Sequence, residues 1–128
     1  MTFSATGQLN DPHAVLDAAA LARLSELDPT GDGTLVQCVL ATYATSLERT
    51  RNELVRVRQP MQAEALRHLA HTLKSSSASV GALALSALCA QVEQHVRVQQ
   101  PGDIDALLDA MLAEMQRVSG AVQAMLRT

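Results

Sequence analysis

The chain has almost no aromatic residues: its 128 positions include one Phe, one Tyr and no Trp. Its apolar residues, 48% of the chain, are mainly Ala, Leu, Val and Met. These residues form helices or act as neutral fillers, whereas strands are enriched in aromatic and β-branched side chains. The composition therefore argues against a β-sandwich or barrel. The length suits one domain, which buries about two-thirds of the surface that its unfolded form exposes.

Long apolar runs are also absent. No run reaches the roughly 18 residues that a membrane span requires, and no charged-then-apolar leader opens the chain. The net charge of −3 gives no electrostatic footprint for nucleic acid. We therefore expect a cytoplasmic protein that binds neither membranes nor nucleic acid.

Cysteine and lysine are scarce. Cys38 and Cys89 are too few for a disulfide scaffold and lie within apolar patterns, so we expect reduced thiols in the core. Of the ten basic residues, only Lys74 is a lysine. An isolated Lys in an Arg-rich chain is consistent with a position that requires a compact, strongly hydrated charge.

Prolines divide the chain into segments of helical length, because proline is tolerated in the first turn of a helix but not in its interior. These prolines are Pro12, Pro29, Pro60 and Pro101. Asp11-Pro12 is typical of an N-cap and first helical residue, and predicts a short helix that continues to Leu27. After a loop, Asp32 is a candidate N-cap for a second helix, which ends near Val57.

Three further helices follow. Gln59-Pro60 predicts the start of the third and Gly81 its end, and after Pro101-Gly102 a cap at Asp103 predicts the fifth. Each long segment carries apolar residues at helical spacing, as in the fourth, with Leu85, Leu88, Cys89, Val92 and Val96. The fold class is therefore all-α: an antiparallel four-helix bundle with an additional short N-terminal helix. We expect one domain over residues 11–128, preceded by a flexible N-terminus over residues 1–10.

Two patterns resemble metal sites only superficially. The loop from Asp28 has acidic or polar residues at positions 1, 3 and 5 of a calcium loop, but Val39 stands where a bidentate Glu is required. His68 and His71 are spaced to share a metal, yet nothing specifies a third ligand. We therefore predict no metal site. No nucleophile elbow or phosphate-binding glycine loop is present, so an autonomous enzyme is poorly supported.

The third helix contains the most informative pattern. At about 100° per residue, its apolar positions cluster on one side and His71 falls almost opposite them. The ring is therefore expected in solvent, with Lys74 one turn along and able to reach a group attached to it. Ser75 and Ala78 are small, so a partner could approach this face closely.

The segment over residues 70–82 reads AHTLKSSSASVGA and resembles the signature of histidine-containing phosphotransfer (HPt) domains of bacterial multistep phosphorelays. The matching residues are His71, Leu73, Lys74, Gly81, Ala82 and Glu93. The family usually has Gly where this chain has Ser75, which affects the fit of a partner but not the phosphorylation site.

The resemblance implies a phosphorelay intermediate that carries a phosphoryl group on His71 between the aspartates of receiver domains. Glu93 would hold Nδ1–H of the ring, and Lys74 would offset the phosphoryl charge. The receiver-docking surface would comprise Glu64, Arg67, His68, Ser75 and Ala78, while Gly81 and Ala82 are structural.

The same resemblance implies the partners: receiver domains of a hybrid sensor histidine kinase and of a response regulator. The chain would be a phosphocarrier without a nucleotide site or cofactor, with Mg²⁺ expected on the receiver. We expect a monomer, because the face around His71 must stay free. Two alternatives stay open at this point: an HPt-like helical adaptor that binds a receiver or kinase without being phosphorylated, and a metal-binding or purely structural bundle.

Overall fold

A computed structural model describes residues 15–98 and 103–126, which form five helices and no strands. We number them α1 (Ala18–Glu26), α2 (Thr34–Val57), α3 (Ala63–Ser79), α4 (Leu83–Arg97) and α5 (Ile104–Leu126). Helices α2 to α5 contact one another in a closed ring, since α5 packs against both α4 and α2, and α1 packs on α2. The predicted four-helix bundle with a short additional helix is thus confirmed.

The core is built from the aliphatic stripes of the helices. Its largest fully buried side chains are leucines, valines and two methionines: Leu16, Leu40, Leu54, Leu66, Leu73, Leu85, Leu108, Met111, Met115, Val57, Val80 and Val92. The single tyrosine is buried as well, and its hydroxyl lies 2.8 Å from the hydroxyl of Ser77, which satisfies both polar groups. Within the described ranges, no helix is long and apolar enough to cross a membrane.

Two predicted helix starts, and the extent of the first helix, differ from the structure. The start at Asp11-Pro12 and residues 1–10 lie outside the described residues, but the helix that reaches Glu26 begins only at Ala18, with Asp17 as its N-cap. The carboxylate of Asp17 accepts a hydrogen bond from the N–H of Ala20. The first helical residue is thus set by this cap.

Helix α2 has Gly33, not Asp32, at its N-cap. Asp28 caps the helix from a distance, because its Oδ2 accepts from the N–H groups of Gly33 and Leu35 at 3.0 and 3.4 Å.

Helix α3 begins at Ala63, three residues after Pro60, since Arg58 and Met61 form a bridge that delays it. The Pro101-Gly102 break lies outside the described residues, whereas the predicted cap at Asp103 accepts from the N–H groups of Asp105 and Ala106.

The two cysteines have different environments. Cys89 is fully buried, as expected, and burial raises the pKa of its thiol to about 12. The prediction of a core thiol was wrong for Cys38, which is exposed. It lies at an apolar groove of about 450 Å³ between α2 and α3, where Val39 and Val80 form part of the wall.

The turn between α3 and α4 depends on Gly81. Its N–H bonds to the carbonyl of Ala78, and the N–H of Ala82 bonds to the carbonyl of Ser77, which is the Schellman pattern for ending a helix. Gly81 has φ +87°, and a Cβ there would lie 2.7 Å from the backbone nitrogen of Asp17. Its carbonyl accepts from that same N–H at 2.8 Å, so α1 is seated directly on the turn.

We predict that Gly81→Ala lowers the free energy of unfolding by about 2–4 kcal/mol, because left-handed strain adds to a backbone clash. Gly31→Ala is the matched control, since Gly31 also has positive φ but faces open space; it should cost only about 1–2 kcal/mol. Urea unfolding followed by circular dichroism measures both. Equal losses in the two variants would show that close packing at Gly81 contributes nothing.

Candidate functional site

His71 lies on the exposed side of α3. The helix turns Leu66, Ala70 and Leu73 into the core, where each is at most 2% exposed. The His71 side chain, by contrast, is 57% exposed. The predicted solvent position of the ring at mid-helix is therefore confirmed.

One side of the His71 ring is held by α4. Nδ1 lies 2.7 Å from Oε2 of Glu93, whose side chain is only 15% exposed. An ionised carboxylate can only accept hydrogen bonds, so Nδ1 carries the proton in this contact. A neutral imidazole has one N–H, and the lone pair is therefore on Nε2. The arrangement holds the tautomer in which Nε2 is the nucleophilic atom.

Glu93 also binds Lys74. The second carboxylate oxygen, Oε1, accepts from Lys74 Nζ at 2.7 Å. The hydrogen bond from Lys74 is the main reason that the pKa of Glu93 lies below its usual value, and the bond from His71 adds to the effect. The carboxylate is thus charged at neutral pH, as the contact with Nδ1 requires.

The sequence pattern placed Lys74 within reach of the His71 ring, and the structure adds the partner to which it is bound. Its ammonium contacts the carboxylate that orients the ring, and its side chain is 34% exposed. Because an ammonium has three donors, the bond to Glu93 leaves others for oxygens bound near His71.

The residues predicted to bind a partner lie on the same helix as His71. His68, Ser75 and Ala78 are exposed. Arg67 is two-thirds buried and its Nε donates to Oε1 of Glu64 at 3.2 Å. The structure therefore brings these five side chains onto the helix that carries the ring.

Ser75 differs from the other serines of α3. The hydroxyls of Ser76 and Ser79 bond to carbonyls of their own helix. In the part of the chain that the structure describes, Ser75 makes no side-chain hydrogen bond. Ser75 thus presents a free hydroxyl one turn from His71.

The sequence did not indicate any role for Ser86. Its hydroxyl donates to the backbone carbonyl of Lys74 at 2.9 Å and links α4 to α3. A serine in an amphipathic helix gives no signal of such a contact, since periodicity assigns it a face but no partner. The one signal in the sequence is that Ser86 lies seven residues before Glu93, which places both residues on one face of α4.

Neither pattern that resembled a metal site gathers ligands. Within residues 15–98 and 103–126, no three His, Cys, Asp or Glu side chains lie close enough to hold an ion. In the loop before α2, Asp28 caps backbone N–H groups and Asp32 accepts from the Thr30 hydroxyl at 2.7 Å. Both carboxylates therefore accept hydrogen bonds that stabilise the loop before α2.

Comparison with known proteins identifies one family and one solved structure. The family model described as the Hpt domain matches residues 34–121. The crystal structure of histidine-containing phosphotransfer protein B (HptB) from Pseudomonas aeruginosa PAO1 superposes with a TM-score of 0.78 at 27% sequence identity, covering 88% of this chain and 95% of that one. No curated protein sequence matches the chain significantly.

The bond from Lys74 predicts how Glu93 titrates. Because the pKa of Glu93 is lowered in the folded protein, the contribution of this carboxylate to stability is present above its unfolded pKa and is lost as the pH falls through the folded value. In Lys74→Met the main cause is removed, so the pKa of Glu93 should rise toward the ordinary range. Carbon-13 NMR of the carboxyl group measures the shift.

Arg56→Met is the control for a general change in charge, because Arg56 pairs with Glu53 on α2 and leaves Glu93 untouched. An unchanged Glu93 titration in Lys74→Met would mean that the ion pair is not formed in solution.

Proposed function

This chain belongs to the Hpt domain family and has a histidine phosphotransfer role in phosphorelay signalling, and on that premise we propose that His71 is its phosphoacceptor. The observation that carries the proposal is the contact between Nδ1 and Glu93 Oε2 at 2.7 Å beside a ring that is 57% exposed. One nitrogen is bound and protonated, and the other, which has the lone pair, makes no hydrogen bond within the described residues.

In the proposed reaction, Nε2 of His71 attacks the phosphorus of an aspartyl phosphate on a receiver domain. The N–P bond forms as the bond from phosphorus to the aspartyl oxygen breaks, and the aspartate leaves with the electron pair as a carboxylate. The ring keeps its proton on Nδ1 and gains positive charge, which the Glu93 carboxylate stabilises across the hydrogen bond. Transfer to a second receiver is the reverse of these steps.

Lys74 stabilises the group that has been transferred. A phosphoryl group on Nε2 brings negative oxygens to the face of α3, and a charge-assisted hydrogen bond from the ammonium offsets part of that charge. Lys74 lies three residues after His71, so the two side chains are neighbours on the helix surface. Its bond to Glu93 keeps the ammonium near the ring before the phosphoryl group arrives.

Hpt domain proteins are phosphocarriers rather than classical enzymes, and they interact with receiver domains. We extend this to two partners in turn, the receiver of a hybrid sensor kinase and that of a response regulator. Phosphoryl transfer requires neutralisation of charge on the transferring group, and in the proposal Mg²⁺ bound by the receiver supplies it. The carrier acts as a cytoplasmic monomer, so that the face around His71 stays accessible.

An HPt-like adaptor that binds a receiver without being phosphorylated is the alternative. It requires the same docking face but no competent nucleophile. The paired contacts of Glu93 with His71 and Lys74 favour phosphotransfer, because docking alone does not require an oriented ring.

We predict that incubation with a phosphorylated receiver and Mg²⁺ labels this protein with acid-labile, base-stable phosphate. His71→Gln should abolish the label while the helical circular dichroism spectrum is unchanged, because the side chain is exposed. His68→Gln is the matched control one turn away and should retain the label at saturating receiver, where docking no longer limits the reaction. Label that survives in His71→Gln, or that requires His68, contradicts the assignment; a protein that binds the receiver but is never labelled is the adaptor.

We also predict that Ser75→Leu weakens receiver docking by about tenfold or more, because a large side chain holds the partner away from His71. The rate of labelling as a function of receiver concentration measures this loss. Ala113→Leu is the control, since it adds a leucine at an exposed position of α5. Equal docking in both variants would show that the small surface at Ser75 is irrelevant.

A further inference from the structure

Both the backbone and the side chain of Lys74 form hydrogen bonds with α4. Its backbone carbonyl accepts from the hydroxyl of Ser86 at 2.9 Å, and its ammonium donates to Oε1 of Glu93 at 2.7 Å. One α4 residue thus contacts the backbone of Lys74 and another contacts the tip of its side chain.

The two contacts lie on one line along α4. Ser86 and Glu93 are seven residues apart, which is nearly two full turns and about 10.5 Å along the axis. The Lys74 side chain leans toward the N-terminus of α3, as helical side chains do. Because α4 runs antiparallel to α3, this direction leads from Ser86 to Glu93. The backbone and the side chain of Lys74 therefore contact α4 at successive points along its axis.

The bond from Ser86 requires the helices to lie close together. A serine side chain is short, so its hydroxyl reaches a carbonyl of another helix only where the two backbones approach closely. Leu85 and Cys89, on either side of Ser86, are 0% exposed, and the bond itself is partly buried. It is therefore partly shielded from the water that would compete for the same carbonyl.

Glu93 is far from the other fixed point between the two helices. The turn at Gly81 and Ala82 connects the C-terminal end of α3 to the N-terminal end of α4. Glu93 lies eleven residues beyond Ala82, about 16 Å along α4. A tilt of about 5° at the turn would move Glu93 by about 1.4 Å over that length. A second link part of the way along α4 limits this tilt.

We infer that Ser86 is a positioning residue for phosphotransfer: through the carbonyl of Lys74 it fixes α4 against α3, and so keeps Glu93 on His71 Nδ1 and the lone pair on Nε2. The inference rests on the proposed function of His71. It concerns a residue that touches neither the phosphoryl group nor the ring.

The test compares Ser86→Ala with Ser86→Thr. Alanine removes the hydroxyl and favours the helix, whereas threonine retains a donor. Ser76→Ala is the matched control, because Ser76 bonds only to carbonyls of its own helix. Glu93→Ala is the reference for a ring whose Nδ1 has lost its acceptor.

Two quantities are measured: the ratio of Nδ1–H to Nε2–H tautomers of His71 by nitrogen-15 NMR, and the rate of phosphoryl transfer from a phosphorylated receiver. In Ser86→Ala we expect a several-fold larger Nε2–H fraction, displaced toward that of Glu93→Ala, and transfer slowed by about 3–10-fold. Ser86→Thr and Ser76→Ala should resemble the unmodified protein in both.

An unchanged tautomer ratio in Ser86→Ala overturns the inference, whether or not transfer slows. If Ser86→Ala fails to fold, Ser86→Cys replaces it, because a thiol has nearly the same size and is a much weaker donor. The tautomer ratio needs no receiver. If the unmodified protein is never labelled, the proposed function fails while the NMR comparison still decides the role of Ser86.

Discussion

The site depends on one carboxylate that accepts hydrogen bonds from two donors on a neighbouring helix. One carboxylate oxygen of Glu93 accepts a hydrogen bond from Nδ1 of His71, and the other accepts from Nζ of Lys74, both at 2.7 Å. The bond from the lysine lowers the pKa of the carboxyl group and so favours its ionised form, and an ionised carboxylate holds the proton on Nδ1. Neither contact can form unless α3 and α4 run side by side in one register, which the turn at Gly81 and the bond from Ser86 support.

Periodicity was enough to predict the helices and the exposed position of His71, because a spacing of 3.6 residues determines which side of a helix meets the core. Helix starts were harder to predict. Asp28 caps α2 from five residues before Gly33, and Pro60 lies in the turn closed by the bridge between Arg58 and Met61 rather than in the first turn of α3. Cys38 fits an apolar pattern but borders an open groove. These outcomes depend on contacts that a local pattern does not contain.

Helical periodicity could not predict the contacts between helices. Periodicity assigns Glu93 and Ser86 to a face of α4. Which residue of α3 each of them contacts depends on the length of the turn between the two helices. Glu93 was predicted only because the family signature includes it, and Ser86, which no signature marks, was missed. The lone lysine stood out by composition, and its position beside His71 by spacing; its bond to Glu93 required the structure.

The exposure of the ring suits the proposed role of His71 as a phosphoacceptor. A histidine enclosed in a pocket could not be presented to two receivers in turn, whereas one that was free on both sides would carry its proton on either nitrogen. Here α4 holds Nδ1 through a side chain that is 15% exposed, and the ring on α3 stays 57% exposed. Small residues beside it, Ser75 and Ala78, leave room for a partner on the open side. In the proposed reaction, the bundle thus orients the nitrogen that keeps its proton and leaves the reacting side of the imidazole exposed.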